Sequence, residues 1–104
     1  MAGEEQVERL LDAVKDPVRM SILHLLIRRG RTNVGGIAKE FEITRPAISH
    51  HLKVLRDAGV VSCSKHGQEV YYWPNSHTVA EALRDLADKI EHQWATGRKR
   101  PGRR

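Results

Sequence analysis

Apolar residues recur along the first third of the chain at intervals of three and four, which is the spacing of one buried helix face. The pattern predicts a first helix over roughly residues 4–15. Asp16 and Pro17 predict that a second helix starts there, because aspartate is a good N-cap and proline is tolerated in the first turn. The apolar positions of the two helices are Val7, Leu10, Leu11, Val14, Val18, Ile22, Leu25 and Leu26.

A short helix and a longer one follow, separated by a tight turn. Apolar spacing predicts the short helix over residues 34–41, weakened by Gly35 and Gly36, and paired glycines there indicate close packing against a neighbour. Thr44 suits the N-cap of the longer helix, and Gly59 suits a left-handed helix end. The buried stripe of the longer helix is Ile48, Leu52 and Leu55. Together these elements form a helix-turn-helix pattern.

The period changes after residue 59. Residues 60–65 and 69–73 are rich in valine, tyrosine and tryptophan, and His66-Gly67-Gln68 separates them. This predicts a β-hairpin with Gly67 in its turn. A hairpin directly after such a helix is the wing of a winged helix. Residues 31–33, before the short helix, are interpreted as a polar connection in which Thr32 or Asn33 supplies the N-cap.

A final helix is predicted over about residues 76–95, with an apolar stripe close to a heptad repeat. The winged domain is already complete before it, so the stripe needs the first helix or a second subunit, most simply in a two-fold dimer. The predicted fold is mainly α with a small β-hairpin wing (α+β): a winged helix-turn-helix in the order α-α-α-α-β-β-α, dimeric through its terminal helices. The expected interface residues are Val7, Leu10, Leu11, Val79, Leu83, Leu86, Ile90 and Trp94.

Length and composition predict one domain over residues 1–95 and a basic, disordered tail over 96–104. The formal net charge is +5, but residues 98–104 hold five basic residues, without which 13 basic residues balance 13 acidic ones. A nucleic-acid function therefore needs a local basic patch. The single cysteine fits a reducing cytoplasm, and neither a signal peptide nor a membrane span is expected.

The outer face of the longer helix, opposite its apolar stripe, offers hydrogen-bond donors and positive charge. At 100° per residue this face carries Pro46, Ser49, His50, Lys53 and Asp57, with Arg45 at the tip and Arg56 on the flank. A firm core face and a polar, basic tip suit the DNA major groove. An ordinary solvated face would hold similar residues, so the neighbouring elements decide between the two.

Three stretches make the chain resemble the arsenic-repressor (ArsR/SmtB) family of winged-helix repressors. They are LDAVKDPVRMSILHLL at 11–26, VGGIAKEFEITRPAISHHLKVLRDAGVV at 34–61 and GQEVYYWPN at 67–75. The resemblance implies a homodimer that binds an imperfect palindrome in double-stranded DNA and blocks transcription until a signal releases it. Its recognition-helix positions match the polar face described above. The DNA-binding candidates are Arg45, Pro46, Ser49, His50, Lys53 and Arg56, and at the wing Lys65 and His66.

Many members of this family bind metals, but most of the residues that would serve as metal ligands are missing from this sequence. The thiolate site needs a Cys-x-Cys sequence, and residues 32–36 contain no sulfur. The other site, between the last helices of two subunits, would use Asn75, His77, Asp88 and Glu91, of which Asn75 is neutral and only one is an imidazole. We therefore expect no cofactor and no intact metal site, with His77, Asp88 and Glu91 as weak candidates. The sequence identifies no effector.

Two other classes of function are less favoured by the sequence. An enzyme is not expected, because the six histidines and Cys63 form no nucleophile–base pattern. Cys63 itself is interpreted as a small hydrophobe, with a redox role as the alternative. A winged helix can also bind protein or RNA, but that would favour apolar anchors on the outer face of the longer helix, where none is found.

Deletion of residues 98–104 tests the role of the tail. The deletion removes five basic residues, so the dependence of DNA affinity on salt should weaken while the preference between DNA sequences stays unchanged. Anisotropy titrations of labelled duplexes over a salt series measure both quantities. Loss of sequence preference on deletion would show that the tail does more than contact phosphate.

Overall fold

The structure is a computed structural model that describes the backbone of residues 4–97 and the side chains of residues 4–94. Its helices and strands, in chain order, are α1 (Glu4–Val14), α2 (Pro17–Arg29), β1 (Thr32–Asn33), α3 (Val34–Ala38), α4 (Arg45–Asp57), β2 (Val61–His66), β3 (Glu69–Pro74), α5 (Ser76–Asp88) and a π-helical segment (Lys89–Gly97). The predicted winged helix-turn-helix is confirmed. Of the predicted tail at 96–104, residues 96 and 97 end the π-helical segment, and residues 98–104 lie outside the described residues.

The core forms where the apolar faces of α1, α2, α4 and α5 meet the base of the wing. Ile22, Leu26, Ile48, Leu52 and Leu55 are each 0% exposed. Burial of each such side chain contributes about 1.5–3 kcal/mol relative to leaving it in water. The fold therefore depends mainly on the stripes that the helical spacing predicts.

Two residues expected at a dimer interface are buried in the core of the single chain. Val7 is 5% exposed and Leu10 is 3% exposed, because both lie on the face of α1 that packs against the body of the domain. Leu11, at the edge of this face, is 46% exposed. The outward apolar face of α1 is thus narrower than the periodicity indicated.

The start of α2 is as predicted. The Asp16 carboxylate accepts hydrogen bonds from the Val18 backbone N–H at 2.9 Å and the Arg19 N–H at 3.5 Å, and Pro17 is the first helical residue. Desolvation of the carboxylate acts to raise its pKa, but the two backbone bonds and the Arg19 charge together lower the pKa of Asp16 below 3.8.

The connection before α3 differs from the prediction. Thr32 and Asn33 form a short strand, β1, which pairs antiparallel with Tyr72 and Tyr71 of β3, so the sheet has three strands in the order β1-β3-β2. Two polar residues have no alternation that could signal a strand. Helix α3 also ends earlier than predicted, at Ala38, beyond which turn-type bonds such as that from the Phe41 N–H to the Ala38 carbonyl (3.1 Å) replace the helical pattern.

The wing is the predicted hairpin with slightly longer strands. His66 pairs with Glu69 in the strand register rather than lying in the loop, which leaves Gly67 and Gln68 as a two-residue turn. Gly67 has φ of +63°. A positive φ at the first turn position matches the strand twist of a hairpin and favours glycine.

The terminal helix is regular for only part of its predicted length. Residues 76–88 form α5, whereas 89–97 are π-helical, so the prediction of one α-helix to residue 95 is wrong beyond Asp88. Ala82 is fully buried, but Ile90 and Trp94 are 58% and 55% exposed. The apolar side chains at this end of the helix are therefore only partly covered by the rest of the domain, which gives little support to α-helical geometry there.

Asp16→Asn tests the cap. Asparagine can accept the same bonds but carries no charge, so the variant should be less stable at pH 7. Because the folded pKa of Asp16 is lowered, the carboxylate stabilises the fold above about pH 3.8, and this contribution disappears as pH falls through the lower, folded pKa. Urea unfolding of both proteins at several pH values measures the difference. A difference that did not shrink in acid would contradict this account.

Candidate nucleic-acid interface

Helix α4 is held at both ends by local hydrogen bonds. The Thr44 hydroxyl accepts from the Ala47 backbone N–H at 3.2 Å, as predicted. At the other end Gly59 has φ of +80°, its N–H donates to the Arg56 carbonyl, and the Val60 N–H donates to the Leu55 carbonyl, both at 2.9 Å. This bond pair is a Schellman motif, which satisfies the Leu55 and Arg56 carbonyls in the last turn of the helix. The position and length of the helix are therefore well defined.

The face of α4 opposite its buried stripe is open. Ser49 and His50 are exposed between the first turn and the middle of the helix, and Lys53 follows one turn later. Hydroxyl and imidazole groups can donate to base edges or phosphates, whereas an ammonium group suits phosphate. All eight DNA-binding candidates are exposed: Arg45, Pro46, Ser49, His50, Lys53, Arg56, Lys65 and His66.

Arg45, at the tip of α4, lies against the start of α3. A Cβ placed on Gly35 would be 3.3 Å from the Arg45 Nη1 atom, so the missing side chain leaves room for the guanidinium. Within the described residues Arg45 has no ion pair, so its charge is available to a ligand. Gly36 is the more tightly packed of the two glycines: its N–H donates to the Asn33 cap at 2.8 Å, and a Cβ there would lie 2.9 Å from the same oxygen.

Lys53 and Arg56, by contrast, share one carboxylate. Lys53 Nζ donates to Asp57 Oδ2 at 3.1 Å, and Arg56 donates to Asp57 Oδ1 from Nη2 at 3.1 Å and from Nε at 3.3 Å. These bonds, that from Lys53 first, lower the pKa of Asp57. The bond to Asp57 is also the largest cause that raises the pKa of Arg56, followed by a hydrogen bond to Cys63. The sequence placed these residues near one face but did not predict their pairing.

Arg19 connects α4 to the helices beneath it. Its side chain is 15% exposed, its Nε donates to the Ala13 carbonyl at 2.7 Å, and its Nη1 lies 3.3 Å from His51 Nδ1. His51 is half-buried and lies against Arg19, whereas its neighbour His50 is exposed. No sequence signal singled out Arg19, because a lone arginine in an amphipathic helix looks ordinary until its partners are known.

The two DNA-binding candidates of the wing lie at the end of β2 and not on α4. Lys65 and His66 are exposed near the hairpin turn, and the His66 ring packs edge-on against Tyr71 with centroids 5.9 Å apart. Asn33 Nδ2 donates to Glu69 Oε1 at 3.3 Å, which ties the N-cap of α3 to β3 of the wing. At the base of the sheet Arg31 stacks on Trp73, 3.8 Å from the ring centroid, a contact that no sequence pattern predicts.

The weak metal candidates are not gathered by the fold of one chain. His77 Nε2 instead lies 3.8 Å from Glu81 Oε2, one turn along α5. Within the part of the chain that the structure describes, no group of three or more histidine, cysteine or acidic side chains is placed to hold a metal. A site shared by two subunits with Asp88 and Glu91 stays a weak prediction.

Cys63 is half-buried and lies opposite Tyr72 in the strand register.

An apolar surface remains along the terminal helices. Leu11, Leu83, Ile90 and Trp94 are 46%, 44%, 58% and 55% exposed. Beside them a groove of about 470 Å³ runs between α1 and the last helix, and Leu86 contributes to its lining. None of the helices described is long and apolar enough to cross a membrane.

Comparisons with known proteins agree on one class of protein. Residues 16–62 match the family described as "Bacterial regulatory protein, arsR family". The chain is 38% identical over 77 residues to the transcriptional repressor SdpR of Bacillus subtilis (strain 168), covering 74% of this chain and 84% of that protein. It is 35% identical over 72 residues to the arsenical resistance operon repressor of the same strain, covering 69% of each chain.

Solved structures extend the likeness to the fold. An ArsR-like transcriptional regulator from Rhodococcus sp. RHA1 superimposes with a TM-score of 0.77 at 26% identity, covering 88% of this chain and 84% of that one. HlyU from Vibrio cholerae N16961, in its reduced form, gives a TM-score of 0.65 at 27% identity, covering 85% and 90%.

Proposed function

Because this chain belongs to the ArsR family of bacterial regulatory proteins and is a DNA-binding transcriptional regulator, we propose that it is a homodimeric repressor of a palindromic operator. The observation that carries the proposal is the construction of α4. One of its faces is fully buried and both of its ends are closed by hydrogen bonds, while its opposite face is exposed and polar. A rigid helix with a polar tip can enter the major groove without rearrangement.

In this proposal the contacts of α4 divide into two kinds. Ser49 and His50 read base edges, and Arg45 reaches a guanine or a phosphate from the helix tip. Lys53 and Arg56 meet the phosphate backbone. Lys65 and His66 bring the wing to the adjacent backbone or minor groove. Such local contacts matter because the chain without residues 98–104 has balanced charge, so only local basic groups and the tail can attract DNA.

The exposed apolar surface of α1 and the last helix supports the dimer. Large apolar side chains that are about half exposed cost free energy in water, and a second copy would cover them. A two-fold axis would also present two copies of α4 to successive major grooves, one helical turn apart. We propose Leu11, Val79, Leu83, Leu86, Ile90 and Trp94 as the interface, with Val7 and Leu10 supporting it from the core.

Repression would follow from occupation of the operator, as the names of the two Bacillus subtilis relatives suggest. We propose that residues 1–95 form the DNA-binding and dimerisation domain and that 96–104 form a separate basic tail. The protein would act in the cytoplasm, without enzymatic activity and without a metal cofactor. Binding of RNA or protein through α4 is not favoured, because its outer face lacks apolar anchors.

Ser49→Ala and His50→Ala test the reading face. Each should weaken operator binding by about 1–3 kcal/mol while leaving thermal stability nearly unchanged, because each removes a donor from an exposed site. Anisotropy titrations with operator DNA measure the loss. Ser21→Ala and His24→Ala are matched controls, since this serine and histidine are also exposed but lie on α2. Unaltered operator affinity in both α4 variants would contradict the assignment.

Leu83→Glu tests the dimer. Leu83 is 44% exposed, so the variant should fold, but a carboxylate placed in an apolar interface should give monomers that bind the palindrome far more weakly. Sedimentation analysis and operator titration measure the two effects. Ile27→Glu is the control, because Ile27 is 61% exposed on α2, outside the terminal helices. A stable monomer that bound the palindrome as tightly as the wild type would overturn the dimer.

A further inference from the structure

The three-residue cluster of Lys53, Arg56 and Asp57 pairs two cations with one carboxylate on the helix that is proposed to face DNA. A single carboxylate accepts hydrogen bonds from both cations of the C-terminal half of α4, with donor–acceptor distances of 3.1–3.3 Å. Of the cations on α4, only Arg45 is left without an ion pair in the described structure. In the free protein the Asp57 carboxylate therefore offsets part of the positive charge in the C-terminal half of α4.

Helix stability does not explain why an acid occupies position 57. Asp57 is the last residue of α4, where a negative charge opposes the helix dipole. Its ion pairs are also exposed: the side chains of Lys53, Arg56 and Asp57 are 63%, 44% and 55% accessible, and pairs exposed to this degree stabilise a fold little. A role in the encounter with DNA accounts for the residue better.

We propose that Asp57 is an affinity-determining residue, an internal competitor that occupies Lys53 in the free protein and so withholds that cation from DNA phosphates. The proposal rests on the proposed function, in which this face of α4 meets the phosphate backbone. A phosphate that approaches Lys53 must displace the carboxylate and also lies close to its negative charge, so part of the favourable contact is lost. Asp57 thereby holds down the binding that needs no particular base sequence, which depends almost wholly on phosphate contacts.

Lys53 is the cation that can change partners. The structure gives it one acceptor, Asp57, through one terminal nitrogen. Arg56, by contrast, is held on Asp57 by two of its nitrogens, Nε and Nη2. The competition should therefore act mainly through Lys53. An experiment can separate this effect from that of removing one negative charge anywhere on the protein.

The test compares Asp57→Asn with a matched variant, Asp12→Asn. Asp12 is also an exposed aspartate on a helix, paired with Lys15 at 2.9 Å and 68% accessible, but it lies on α1. Affinity for a duplex of scrambled sequence, and for the operator, is measured by anisotropy between about 50 and 200 mM salt. Asp57→Asn should bind the scrambled duplex about three- to fivefold more tightly, with a log–log salt slope steeper by up to about 0.9. Asp12→Asn should match the wild type.

Lys53→Ala, made both in the wild type and in the Asp57→Asn variant, completes the cycle. In the wild type, where Asp57 already weakens the phosphate contact of Lys53, it should reduce affinity for scrambled DNA by a smaller factor than in the Asp57→Asn variant, where it should abolish the gain. The inference is overturned if Asp57→Asn leaves that affinity unchanged or lowers it, if the gain survives Lys53→Ala, or if Asp12→Asn gives the same gain. Wild-type protein that bound no DNA at all would overturn the proposed function as well, which distinguishes the two failures.

Discussion

The buried contact of α4 with the rest of the domain is the interaction on which the other features depend. Ile48, Leu52 and Leu55 are fully buried, so the helix cannot rotate without exposing the core. That constraint directs Ser49 and His50 outward and leaves the neighbouring His51 against Arg19. The terminal Schellman motif then passes the chain directly into the wing. A single packing arrangement thus orients both elements that would meet DNA.

Much of the fold could be predicted because its signals are local. Helical spacing indicated the buried stripes, and the caps at Asp16, Thr44 and Gly59 indicated the helix ends. The features that were missed depend on distant partners. Strand β1 exists because β3 lies beside it, and the end of α5 depends on how far the domain supports it.

In the candidate site, too, some features could be predicted from the sequence and others could not. The exposed positions on α4 follow from angular position alone, since a residue opposite a buried stripe faces water. The ion pairs do not follow, because three charged residues at positions 53, 56 and 57 can pair in several ways or not at all. Arg45 illustrates a third case: the glycine pair indicated close packing, but the sequence did not identify Arg45 as the neighbour of Gly35.

Selection of binding sites from random duplex DNA tests the central claim, that two copies of α4 read a palindrome, most directly. The account predicts enrichment of an inverted repeat whose half-site centres lie about 10–10.5 base pairs apart, or a multiple of that distance. Enrichment of a single half-site, or of no sequence above background, would contradict it.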